Sequence, residues 1–145
     1  MATKDRWRRT NGRRVNETLK KIKITSRAIG EVEAELFEEQ SPQTVKALWA
    51  VLPITGRANT WGNEIYFSIG VKVGRENADD VVEKGALGYW PPGEAFCIFF
   101  GPTPASRGEE IRAASPVNVL GRITGNPEVF KRVRHGDEIV IDKAG

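Results

Sequence analysis

The side chains that could do chemistry gather mainly in one stretch of the chain. Arg57, Trp61 and Glu64 follow one another closely, and Tyr66 stands two positions after the carboxylate. A second aromatic pair, Tyr89 and Trp90, directly precedes Pro91-Pro92-Gly93. One guanidinium, one carboxylate and several rings suit a groove that holds a peptide or small molecule non-covalently: the rings supply apolar area and the charges fix orientation. The same residues also admit a structural reading. Trp61, Tyr66 and Trp90 would then be packing groups, and Arg57 the ion-pair partner that offsets the cost of burying Glu64.

Other reactive constellations fail on residue type. A single cysteine, Cys97, rules out an internal disulfide, and inside Phe96-Cys97-Ile98 it reads as a small hydrophobe. The single histidine, His135, lies between Arg134 and Gly136, where a helix-terminal role suits it better than that of a base. So few ligands exclude a structural zinc site, and no metal or other cofactor is expected. There is no Gly-x-Ser-x-Gly elbow, and Gly101-Pro102-Thr103-Pro104 lacks the backbone donors and the lysine of a phosphate loop. Glu38-Glu39, Asp79-Asp80 and Glu109-Glu110 pair carboxylates, but adjacent side chains diverge, so solvated turns are expected there.

The 145 residues fit one domain plus a tail, with 39% hydrophobic and 28% charged side chains, the balance of a soluble globular chain. No apolar run reaches the roughly 18 residues of a membrane span, and no apolar stretch follows the basic N-terminus. A cytoplasmic protein without a secretory signal is the expectation. The net charge of +3 divides unevenly: residues 1–21 hold eight of the 22 basic and two of the 19 acidic side chains, a net of +6, leaving the remainder at −3. That tail has only Trp7, Val15 and Leu19 as large apolar groups, and is expected to be flexible. It reads either as an arm for nucleic acid, with Trp7 stacking on a base, or as a solubilising extension, which is favoured.

These side chains need a frame, and the hydrophobic pattern supplies a mainly β one. Ile22 and Ile24, then Val32, Ala34 and Leu36, alternate with charged residues, which predicts a half-buried hairpin. Ser41 as N-cap, Pro42 at the first position and Val45, Leu48, Trp49 and Leu52 at helical spacing predict a helix over 42–52 that packs on a core, with Trp49 a core residue and Lys46 exposed. Alternation from Ile65 to Val73 predicts a strand, and Phe96 to Phe100 another that is buried on both faces. Residues 101–115 read as a surface loop, with a strand after it through Val117, Val119, Leu120 and Ile123. Asn126-Pro127 starts a short helix containing Val129, Phe130 and Val133, and Ile139 to Ile141 form the last strand. About seven strands and two short capping helices predict a closed antiparallel β-barrel over residues 22–143.

Several strings add a resemblance. Pro42-Gln43-Thr44-Val45 is similar to the helix pattern of cyclophilins, and Gly121-Arg122-Ile123 continuing into Val129-Phe130-Lys131-Arg132-Val133 looks like that family's late strand and final helix. The strings Trp61-Gly62-Asn63-Glu64-Ile65-Tyr66-Phe67 and Tyr89-Trp90-Pro91-Pro92-Gly93 through Phe99-Phe100-Gly101-Pro102 resemble minimal prokaryotic cyclophilin-like proteins of undefined function. The resemblance implies the cyclophilin fold; the candidate ligand groove, read from the residues, is lined by Arg57, Trp61, Glu64, Tyr66, Tyr89, Trp90, Phe99 and Asn118. The resemblance also raises weak or non-standard prolyl isomerase activity as the alternative function. Against that activity, Phe67 stands where cyclophilins have the arginine that bonds the prolyl nitrogen, Phe96-Cys97-Ile98 lacks their glutamine, and Val117 or Asn118 replaces their histidine. Arg57 is the candidate substitute donor. The sequence points to a peptide or small-molecule partner and no membrane; it leaves the oligomeric state open.

Overall fold

A computed structural model describes residues 20–144. The tail reading therefore lies outside the described residues, apart from Lys20 and Lys21, which open the first strand instead of ending the tail. β1 (Lys20–Ser26) and β2 (Gly30–Leu36) make the expected hairpin, with Ile22, Ile24, Ala34 and Leu36 buried and Lys21, Glu31 and Glu33 outward. β10 (Glu138–Lys143) pairs with the free side of β1, and β3 (Ile54–Arg57) lies outside β10. On the other side, β2 joins β9 (Ile111–Ile123), followed by β7 (Ala86–Trp90), β8 (Ala95–Phe99), β5 (Glu64–Ser68) and the two-residue β4 (Asn59–Thr60). β6 (Asp79–Val82) pairs with the first half of β9. Every pairing is antiparallel.

The sheet is not the closed barrel that the sequence predicts. Its edge strands β3 and β4 are neighbours in the chain, separated only by buried Ala58, yet no ladder joins β3 to β4 or β5. Packing replaces pairing at this seam: Gly56 lies so close to the Phe67 ring that a Cβ there would overlap it. A ring thus fills the space where hydrogen bonds would have completed the circle.

The helix α1 (Pro42–Val51) buries Thr44, Val45 and Leu48, leaves Lys46 exposed and ends before Leu52, which is extended and half-buried. Trp49 packs half-buried on the main core, with the Lys20 and Lys143 ammonium groups 5.4 and 5.0 Å from its ring centre. Ser41 occupies the N-cap position, but its hydroxyl donates to Val119 O at 2.7 Å. The cap is supplied by Glu76, whose carboxylate accepts from the Gln43 and Thr44 N–H groups at 2.7 and 2.9 Å and from the Thr44 hydroxyl at 2.7 Å.

Three other elements differ from expectation. β5 stops at Ser68 instead of Val73, because the chain turns at Gly70 (φ +70°) and then binds the Tyr89 hydroxyl in place of a strand. That hydroxyl accepts from Val73 N–H at 3.1 Å and donates to Val71 O. β9 starts at Ile111, inside the predicted loop, because Ile111 and Val117 pair with β6, which the acidic pair Asp79-Asp80 had disguised as a turn. The late helix is a 3₁₀ segment, Pro127–Arg132, with Asn126 Oδ1 accepting from Glu128 N–H at 3.0 Å.

Candidate ligand-binding face

Strand alternation gives β5, β8, β7 and β9 two apolar faces. Inward, Ile65, Phe67, Phe96, Ile98, Leu87, Tyr89 and Leu120 join the main core. Outward, a second cluster contains Cys97, Phe99, Ala86, Val117, Val82 and Ile111, with half-buried Tyr66, Trp90 and Val119 packed against it. β8 is buried over its whole length for this reason, as its unbroken apolar run predicts.

Glu64 opens β5 on the outward side. A tight turn places it there: Trp61 N–H donates to Glu64 O at 2.9 Å and Glu64 N–H to Trp61 O at 3.2 Å, with Gly62 at φ +60°. Pro104 lies against Gly62 too closely for a side chain there, and Asn63 Nδ2 donates to Pro102 O at 3.0 Å. Glu64 is only 6% exposed, and burial pushes its pKa up to about 7, a hydrogen bond with Cys97 partly opposing the rise. Burial, the Glu64 charge and that hydrogen bond all drive the Cys97 thiol upward. The thiol therefore remains protonated, its one S–H shared between the acid and Ala95 O, 3.8 Å from Sγ; nothing here makes it a nucleophile.

The proposed ion pair between Arg57 and Glu64 does not form. Arg57 is exposed at the end of β3 and its Nη1 donates to Gly136 O at 3.1 Å. Trp61 and Tyr66 are half-buried beside Glu64 in the chain, and Asn59 Nδ2 holds Tyr66 O at 3.1 Å. Trp90 reaches the outward cluster, its indole N–H donating to Ser115 Oγ at 2.7 Å. Phe99 is fully buried beneath them.

Two of the sequence-predicted groove residues point to the inside. Tyr89 belongs to the main core and anchors residues 71–73. Asn118 is wholly buried: its Oδ1 accepts from Glu76 N–H at 2.7 Å, and its Nδ2 donates to Thr44 Oγ1 at 3.0 Å and Gly74 O at 2.9 Å. It thereby holds the segment that carries Glu76 to the helix. Burial works against the charge on Glu76, but the donors at Gln43 and Thr44 outweigh it and lower the pKa. Phe67 is also a core residue, 3% exposed and tilted on Phe96 at 5.8 Å.

Sequence reasoning missed Ser115 and the floor residues Val82 and Ile111. These last two line a shallow concavity of about 450 Å³ whose rim carries Glu109, Glu110 and Lys84. No cluster of three metal-ligating side chains occurs among the described residues, and no helix among them is long and apolar enough to cross a membrane.

This curled antiparallel sheet with α1 against its core is the architecture of cyclophilin-like domains. Residues 20–142 match the model of the family described as Cyclophilin-like, and the chain belongs to that family. A hypothetical protein of Archaeoglobus fulgidus, known from a solution structure, is 47% identical, with a TM-score of 0.75 over 86% of this chain and 95% of its own. The crystal structure of a cyclophilin-type peptidyl-prolyl cis-trans isomerase from Cryptosporidium parvum is similar in fold at 18% identity, with a TM-score of 0.56 over 88% of this chain and 99% of its own. No curated protein matches the sequence.

Proposed function

We propose that the domain binds a peptide or small ligand non-covalently on the outward face of β5, β8, β7 and β9. The observation that supports this reading is the margin of the second apolar cluster: over fully buried Phe99, Cys97 and Val117 lie the half-buried rings of Tyr66 and Trp90, with the buried carboxylate of Glu64 on the same side of β5. Apolar area gives a ligand something to bury, and the acid gives it an orientation. Trp61, Glu64, Tyr66 and Trp90 are the contact residues of this reading, with Phe99 beneath them and Arg57 beside the seam. Tyr89 and Asn118 hold the frame.

Prolyl isomerisation is the alternative, favoured only by the fold. It requires a donor to the prolyl nitrogen as amide resonance is lost. The outward side chains of β5 are an acid, a phenol and a hydroxyl, and exposed Arg57 is the nearest substitute in the chain. The test is a titration with capped proline-containing tetrapeptides, read by tryptophan fluorescence, beside a prolyl isomerisation assay. The expected result is a saturable shift from Trp61 or Trp90 with little or no acceleration, since loss of one transition-state donor costs about 10²–10³ in rate. Full cyclophilin-like acceleration overturns the binder reading, and its collapse in Arg57→Ala at unchanged stability assigns the donor to Arg57. An unshifted spectrum with every peptide removes the groove.

A further inference from the structure

Glu64 is the buried carboxylate at the margin of the outward cluster, and no cation among the described residues pairs with it. Its hydrogen-bond partner is the Cys97 thiol on the neighbouring strand, a weak donor that cannot balance a charge. The turn before it offers Trp61, Gly62 and Asn63, and β8 offers Ala95, Cys97 and Phe99, none of them a cation. The nearest guanidinium in the chain, Arg57, is engaged with Gly136 O. Yet the acid is not sealed. No side-chain oxygen among the described residues is both shut off from solvent and without a partner, and the thiol satisfies only one of the two carboxyl oxygens. The other oxygen therefore touches solvent.

From this juxtaposition we infer that Glu64 is the recognition group for a cationic ligand moiety, a lysine-type ammonium or other primary amine, on the outward face. The inference rests on the binding reading and names its ligand class. A carboxylate in apolar surroundings gains far more from a cation than one in water, because little solvent screens the pair. Half-buried Trp61 and Tyr66, on either side of Glu64 in the chain, add ring faces that attract ammonium groups. Binding a cation requires the ionised acid, so a neutral Glu64 must release its proton when the ligand binds.

The experiment uses the full chain and two probes: a capped tripeptide with a central lysine, and the same tripeptide with that lysine acetylated. The lysine peptide is expected to bind at least tenfold more tightly at pH 8. Its affinity should fall about tenfold from pH 8 to pH 6, because only the ionised fraction is competent, and calorimetry in two buffers should show proton release. In Glu64→Gln the ratio between the peptides should drop to about one. Equal affinities in the wild-type protein, or a preference that survives in Glu64→Gln, overturn the assignment of the cation to Glu64 while leaving the groove. Absence of binding by both peptides removes the groove and the inference together. The wild-type comparison decides the matter even if the variant folds poorly.

Discussion

Replacing Glu64 with glutamine should stabilise the protein above neutral pH and do nothing near pH 4. Glu64 is 6% exposed, and its pKa rises from an ordinary 4.5 to about 7 in the folded state. The native state thus holds this proton more tightly than the unfolded chain does. Its contribution is fully present below pH 4.5 and is lost as pH rises through 7, after which the curve is flat. At about 1.4 kcal/mol per pH unit, the loss amounts to about 3 kcal/mol. Glutamine keeps the shape and still accepts from Cys97, but has no proton to lose. Wild type and Glu64→Gln should therefore agree near pH 4 and separate in favour of the variant by up to about 3 kcal/mol at pH 8, or roughly 10 °C in Tm for a domain this size. Urea unfolding followed by tryptophan fluorescence, repeated from pH 4 to 8.5, measures the difference. Taking the difference cancels Glu76, Glu110 and Glu128, whose lowered values act in both proteins. A gap that stays constant between pH 5 and pH 8 would show that Glu64 ionises in water, and the account of its burial would fail.

Tyr89→Phe removes the hydroxyl that joins Val73 N–H to Val71 O, so a loss of about 1–2 kcal/mol is expected, with faster hydrogen exchange at Val73; unchanged exchange would mean that residues 71–73 are held by other contacts. Glu76→Gln weakens the remote cap of α1, and about 1 kcal/mol should be lost at pH 7. Because the folded-state pKa of Glu76 is lowered, this contribution exists above the ordinary carboxyl value and disappears as pH falls through the folded one; an acid titration of the variant against wild type shows whether the two converge. Gly121→Ala places a Cβ against Glu35 O, where the β2–β9 pairing leaves no space and backbone cannot move aside. More than about 3 kcal/mol should be lost, and a Tm within a few degrees of wild type would contradict the packing described at that crossing.

The hairpin and α1 were legible because each has a single buried face, and one-sided burial writes its period directly into the sequence. Features that depend on another part of the chain were not. The acid that caps α1 lies 32 residues from Thr44, which it binds, so Ser41 looked like a sufficient cap. The alternation through Ile69, Val71 and Val73 continues beyond the strand, since Ile69 and Val73 still meet the core while the backbone of Val71 and Val73 bonds a tyrosine hydroxyl. Glu64 stood out as an acid in an apolar entry, but its partner could not be read. Arg57 was near in sequence, whereas Cys97 is near only through the β5–β8 register that sets Tyr66 opposite Cys97 and Glu64 opposite Phe99.

Strand parity also changes how the missing isomerase chemistry should be understood. Alignment of strings sets Phe67 against the cyclophilin arginine, but the Phe67 ring is packed on Phe96 and fills the seam over Gly56. A group that must touch a substrate cannot point into the core, so a simple exchange of Phe67 for arginine would bury a charge without creating a donor. The positions on β5 that alternate to the other side are Glu64, Tyr66 and Ser68. Among the described residues, what this face holds is a buried carboxyl group without a counter-ion. A donor arginine and an unpaired acid select opposite ligands: the first stabilises electron density at a nitrogen, while the second attracts a positive one. On the proposed reading, the same sheet belongs to the cyclophilin-like family and offers a ligand a buried acid where the isomerases offer a donor.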